Sequence, residues 1–124
     1  MGCIYRIVCY ATGRCYVGQT SYSHPFVRFR EHQSDAKKGE PGLLYDDMRT
    51  YDISMFECSC IRVVPNIHLN DLECYYAEQF GAYVDEGGYN IGECGSAPVR
   101  AEVADRTREH MKRAAILKNI RRRH

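Results

Sequence analysis

Nowhere does the chain carry an apolar run approaching the roughly 18 residues that a membrane-crossing helix needs, so no membrane partner is expected. Its opening residues, Met1 to Arg6, show no basic leader followed by a long apolar stretch. An intracellular, reducing compartment, cytoplasm or nucleus, is the expected setting. Paired Cys-x-x-Cys knuckles are missing too, which argues against a zinc-stabilised interaction domain built from Cys58, Cys60, Cys74 and a histidine. The seven cysteines are odd in number and read as reduced thiols, with no disulfide expected. Cys9, Cys15, Cys58 and Cys60 then serve as small apolar strand residues. No internal repeat and no low-complexity stretch is present.

What is present fits one ordinary globular domain with an appended segment. The chain has 124 residues, 44% of them apolar and 27% charged. Its net charge of +1 conceals an asymmetry. Residues 1–98 hold 8 Lys/Arg against 13 Asp/Glu, net −5, whereas residues 99–124 hold 9 against 3, net +6. A basic arm of this kind suits an acidic polymer, although a solvated helix accounts for it equally simply.

Residues 3–10 are β-branched and aromatic, Ala11 to Arg14 supply a turn, and Cys15 to Thr20 form a second strand, which together make a hairpin. Apolar residues Phe26, Phe29 and Ala36 recur at helical spacing between His24 and Lys38, and Gly39 with Pro41 stops that helix. A short helix over Leu43 to Thr50 and a strand over Met55 to Val64 follow. Asn70 reads as the cap of a helix running to about Tyr83, with Leu72, Tyr76 and Phe80 or Tyr83 inward. The fold class is α+β: a small three-stranded antiparallel sheet flanked by helices, with a basic helical C-terminal tail. Ser96-Ala97-Pro98 divides the chain into a domain over 1–95 and a tail over 96–124. The tail has only a ragged apolar stripe and needs a partner for full helicity.

Candidate site residues are ordinary one at a time. Tyr5 and Tyr16 suit strands for packing alone. Arg28 and His32 share a helix face at i and i+4, Glu73 three residues after Asn70 fits a capping box, and Asn90 after two glycines fits a turn. Together, however, they are the parts that phosphodiester hydrolysis requires. An arginine is a planar, permanently charged donor set for a phosphate that gains charge. A glutamate is a hard ligand for Mg²⁺, which keeps most of its waters and takes one or two carboxylates. Either a tyrosine or His32 is able to take a proton from water.

The order and spacing of these residues carry a resemblance to a known family. Cys3-Ile4-Tyr5 followed by Tyr16-Val17-Gly18 resembles the paired motif of the GIY-YIG nucleases. Arg28-x-x-x-His32, the strand Phe56 to Ser59, the helix opening at Leu72-Glu73 and the closing Gly88-Tyr89-Asn90 continue the match over residues 2–92. Two positions depart from the pattern, Cys3 in place of the usual first glycine, with Gly2 one residue early, and Val17 in place of isoleucine. The resemblance implies a metal-dependent DNA endonuclease with Tyr5, Tyr16, Arg28, His32, Glu73 and Asn90 as catalytic residues. Glu73 rather than Glu78 is the implied metal ligand, for Mg²⁺ or a substituting Mn²⁺.

Among subfamilies the chain is most similar to the catalytic domain of phage intron-encoded homing endonucleases, in which a basic, partly helical linker follows. The implied partner is double-stranded DNA, with a second copy or a separate DNA-binding domain for cutting both strands. Arg14 and Arg30 in the domain, and Arg106, Arg108, Lys112, Arg113, Lys118, Arg121, Arg122 and Arg123 in the tail, are the expected nucleic-acid-binding residues. A restriction-like or repair-type nuclease, or an inactive nucleic-acid-binding module, are the alternatives.

Overall fold

The structure is a computed structural model that describes residues 1–91. The expected tail helix, the basic residues from Arg106 to Arg123 and the expected 95/96 boundary lie outside the described residues. Three strands, β1 (Gly2–Cys9), β2 (Cys15–Thr20) and β3 (Phe56–Val64), make one antiparallel sheet in the order β2-β1-β3. Three α-helices accompany it: α1 (Phe26–Lys37), α2 (Leu43–Thr50) and α3 (Leu69–Gln79). This is the expected α+β class.

Alternation along β1 gives both sheet faces an apolar side chain, since successive residues of a strand point to opposite faces. Ile4, with Val17 of β2 and Val64 of β3, packs against Leu69 and Ala77 of α3 and against Ala82 and Tyr83 beyond it. Tyr5, Ile7 and Cys9 face the other way, against Leu44 of α2, Phe56 and Tyr89, with Phe29 and Tyr45 at the margin. Being central, β1 is buried on both sides. It also carries an irregularity: Ile4 pairs with Arg62 and Tyr5 with Cys60, so Ile61 is the extra residue on β3.

Three expectations are corrected. The first helix starts at Phe26 rather than His24, because residues 21–25 form bends that end on Pro25, and Phe26 is 60% exposed rather than inward. The inward residues of α1 are Phe29, His32 and Ala36. Asn70 does not cap the last helix: Pro65 leads into a 3-10 turn over Asn66–His68 that winds directly into Leu69. That helix ends at Gln79, where the amides of Phe80 and Gly81 close the turn on Tyr76 and Glu78, four residues before Tyr83. Lastly, Cys3, Cys9, Cys15, Cys58 and Cys60 are free thiols, but Cys74 is disulfide-bonded, against the expectation of none.

Candidate active site

Tyr5 and Tyr16 stand on adjacent strands and the same sheet face, their ring centroids 6.1 Å apart. The register that brings them together pairs Tyr5 with Gly18. A Cβ on Gly18 would lie 2.5 Å from the Tyr5 hydroxyl oxygen and 2.7 Å from the Tyr16 ring, so only glycine lets both rings lie across β2. The glycine two residues after Tyr16 is thus part of the site's construction. Gly2 is a second close approach, where a Cβ would meet the Thr20 carbonyl oxygen at 2.5 Å. Cys3 is fully buried one residue later. The space that demands glycine is therefore at position 2, which explains how a cysteine is accommodated at position 3.

His32 from α1 closes over the tyrosine pair. Its Nε2 is 2.8 Å from the Tyr5 hydroxyl, and its Nδ1 is 2.8 Å from the hydroxyl of Tyr45 on α2. The Tyr16 ring meets its edge at a centroid distance of 5.3 Å. His32 is 2% exposed, and burial followed by the charge of Arg28 pushes its pKa down to about 4. The imidazole is accordingly neutral at pH 7, with one nitrogen donating and the other accepting. Tyr45 and Tyr5 take the complementary roles, so Tyr5, His32 and Tyr45 form a continuous hydrogen-bonded chain from the buried site to a half-exposed position.

Arg28 lies one helical turn before His32 and is partly exposed. Its guanidinium donates to Glu31 at 2.9 Å. Burial works against its charge, but the neighbouring Tyr5 and Tyr16 hydroxyls and Glu31 raise its pKa overall. Both tyrosines are driven the other way from reactivity: desolvation raises each hydroxyl's pKa, and Arg28 only partly opposes it. As they stand, both hydroxyls hold their protons.

Glu73 arrives from α3, on the opposite face of the sheet, and reaches the edge formed by β2. The Gln19 amide donates to its Oε2 at 2.5 Å and to Asn70 Oδ1 at 2.6 Å. With His68 rather than Asn70 at the cap position, and no side-chain cap bond there, the capping-box role of Glu73 falls away. Its charge acts on Tyr16, raising that hydroxyl further. Burial raises the Glu73 carboxyl as well, with the Gln19 bond working against the shift.

Asn90 is built into the edge of the same strand. Its Oδ1 accepts from the Val17 amide at 2.9 Å and its Nδ2 donates to the Val17 carbonyl at 2.8 Å, so the side chain pairs with β2 as a short strand would. Its backbone is held in turn by Ala82 and Val84. Asn90 therefore positions the strand that carries Tyr16 and Gly18, and its side chain is committed to backbone.

The structure thus groups Tyr5, Tyr16, Arg28 and His32, links Glu73 to them through its charge on Tyr16, and ties Asn90 to the strand that carries Tyr16. Three further contributors escaped the sequence reading. Tyr45 and Gln19 are polar partners of His32 and Glu73 from distant segments. Asp47, buried in α2, accepts from Tyr89 at 2.6 Å and from Arg14 at 3.1 Å, which ties the hairpin turn and the 87–90 segment to the helix layer. Arg14, expected to contact nucleic acid, is paired with Asp47, whereas Arg30 is exposed on α1. Among the described residues, no group of three or more His, Cys, Asp or Glu side chains could hold a metal ion. Nor is any described helix long and apolar enough to cross a membrane.

The three-stranded antiparallel sheet with its three helices matches the fold of a solved nuclease catalytic domain. The structure is similar to the catalytic domain of homing endonuclease I-TevI, with a TM-score of 0.63 and 22% sequence identity, over 75% of this chain and 100% of that one. It is also similar to a glutamate-to-alanine mutant of the catalytic domain of intron endonuclease I-TevI, with a TM-score of 0.65 and 22% identity, over 78% of this chain and 100% of that one. No protein-family model matches the sequence, and no curated protein matches it.

Proposed function

We propose that this chain is a metal-dependent endonuclease that hydrolyses DNA phosphodiester bonds. The observation that carries the reading is the Tyr5–His32–Tyr45 chain lying beside Arg28 and Tyr16, with one carboxylate, Glu73, brought to the same strand edge from the opposite face. A lone carboxylate fits Mg²⁺ or Mn²⁺, which keep waters and take the remaining oxygens from phosphate; it does not fit a caged zinc. When bound at Glu73, the ion supplies charge stabilisation to the phosphate and to the leaving oxygen.

The chain's own residues do the rest. Arg28 offers its guanidinium to the non-bridging phosphate oxygens, where charge grows as water adds. Tyr5 takes a proton from that water while passing its own to His32 Nε2, His32 hands one from Nδ1 to the Tyr45 oxygen, and the half-exposed Tyr45 releases its own hydroxyl proton to solvent. Neutral His32 is the form this needs, because an imidazolium has no acceptor nitrogen. Tyr16, next to Glu73, orients the attacking water. Asn90 keeps β2 in register under both rings.

A homing or mobile-element role is supported by the similarity to the catalytic domain of a homing, intron-encoded endonuclease and by the basic residues 99–124, the region a DNA-contacting linker would occupy. Double-stranded DNA is the substrate on this reading, with a second copy or a further domain needed to cut both strands. Incubation of the chain with supercoiled plasmid and Mg²⁺, scoring nicked and linear products, tests the activity. Cleavage that depends on Mg²⁺ or Mn²⁺ and disappears with chelator is the expected result; intact plasmid under all conditions overturns it.

A further inference from the structure

Between β2, which ends at Thr20, and α1, which begins at Phe26, the chain displays a row of three rings that the site does not use. Tyr22, His24 and Phe26 alternate with Ser23 and Pro25, and all three rings are exposed, Tyr22 by 52% and Phe26 by 60%. Singly exposed apolar residues are ordinary, but contiguous ones mark a surface that meets a partner. Here they are also ordered against one another. Tyr22 and His24 lie 6.2 Å apart at 31°, and His24 and Phe26 lie 5.7 Å apart at 34°, so the rings form a gently tilted ladder.

The placement indicates what the ladder meets. Its two ends are joined to the elements that carry the site: β2 holds Tyr16 and Gln19, and α1 holds Arg28 and His32. Arg30, exposed and one turn after Phe26, shares the side of α1 on which Phe26 stands. Exposed rings with a guanidinium beside one end match the bases and phosphates of an unpaired strand, since any base has a face for stacking and the backbone needs positive charge. Paired bases inside a duplex hide those faces. The ring separations are also too small to admit a base between two rings, which needs roughly 7 Å for two stacking layers. Bases would therefore lie along the outer faces of the ladder.

We propose that Tyr22, His24 and Phe26 form a stacking platform for unpaired nucleobases beside the scissile bond, which makes duplex DNA interrupted by a single-stranded stretch next to the cut the preferred form of the double-stranded substrate. The proposal rests on the nuclease reading above and names its substrate class. The rings hold the unpaired strand, Arg30 holds its phosphates, and the site receives the adjoining linkage.

The test is equilibrium binding of the full chain, in chelator to prevent cleavage, to a duplex with a short gap carrying 2-aminopurine opposite it and to the same duplex fully paired. The gapped duplex is expected to bind about tenfold tighter, with quenching of the probe as it stacks. Tyr22→Ala and Phe26→Ala should each lose about tenfold in affinity for the gapped duplex and leave the paired duplex unchanged. Phe26→Tyr should keep the preference, since it keeps a ring. Equal affinity for the two duplexes, or alanine variants that bind the gap like the parent, overturns the platform. So does a concentration-dependent dimer that the alanine variants abolish while gap binding persists, because the rings then serve a second copy. If the chain nicks plasmid yet shows no preference for the gap, this proposal alone falls. If it neither binds nor cuts any DNA, the nuclease reading falls with it.

Discussion

Gly18 lies directly across from Tyr5 in the β1–β2 register, and a Cβ there would stand 2.5 Å from the tyrosine's hydroxyl oxygen. The hydroxyl cannot give way without leaving His32, to which it is bonded at 2.8 Å. Gly18→Ala should therefore destabilise the chain by roughly 1–3 kcal/mol, the usual cost of overpacking. Its nicking rate should fall further than the lost stability explains. Thermal unfolding and nicking at a temperature where both forms are folded measure the two effects. A rate equal to that of the parent would show that the Tyr5–His32 bond is dispensable.

The hairpin was legible because strand propensity, alternation and turn residues agree over residues 2–20, and the six candidate site residues were singled out through their order and spacing. What sequence concealed was tertiary pairing. Tyr45 reaches His32 from 13 residues away and Gln19 reaches Glu73 from 54 away, and neither carries a local signal. Phe26 misled because helical spacing counts apolar residues without knowing which side the sheet is on. Asn70 misled because a good cap residue stood just inside a helix that Pro65 and a 3-10 turn had already begun.

Glu73→Ala should reduce cleavage by on the order of 10³-fold or more, since the proposed ion would lose its protein carboxylate. DNA binding in chelator should change little. Glu78→Ala, on the same helix, should be much milder. Parallel nicking assays decide the register: a dead Glu78 variant beside an active Glu73 variant would move the ligand by five residues.

Arg28→Ala should lower turnover by roughly 10²-fold, comparable to removing one donor from a developing oxyanion. Lysine at this position should restore only part of the rate, because a point charge lacks the planar fork of guanidinium. Single-turnover rates at saturating DNA are the measurement. Full activity of Arg28→Lys would reduce the role of Arg28 to bulk positive charge.

Residues 99–124 carry net +6 against net −5 before them. If this segment neutralises phosphates, replacing Arg121, Arg122 and Arg123 together by glutamine should flatten the plot of log K against log salt by about 2.7 units, at roughly 0.9 per phosphate contact on duplex DNA. The maximal rate at saturating DNA should hardly move, since all six site residues lie elsewhere. An unchanged slope would assign these arginines to some role other than DNA contact.

His32 gives the fold a pH dependence of definite sign. In the folded chain burial and then Arg28 lower its pKa from 6.5 to about 4. Between those values the unfolded chain binds the proton and the folded chain does not, so stability is complete above pH 6.5 and is lost as pH falls toward 4. The difference corresponds to about 3 kcal/mol. Glu73 acts oppositely, because its raised carboxyl takes a proton first in the folded state. The contribution of His32 is therefore read as a difference between the parent and His32→Gln, whose amide does not titrate. Denaturant unfolding in metal-free buffer should give a stability gap that narrows by about 3 kcal/mol from pH 7 to pH 4. Parallel curves across that range would mean that the imidazole takes up its proton inside the fold near pH 6.5, and the neutral acceptor at Nε2 required by the Tyr5 relay would then be lost below that pH.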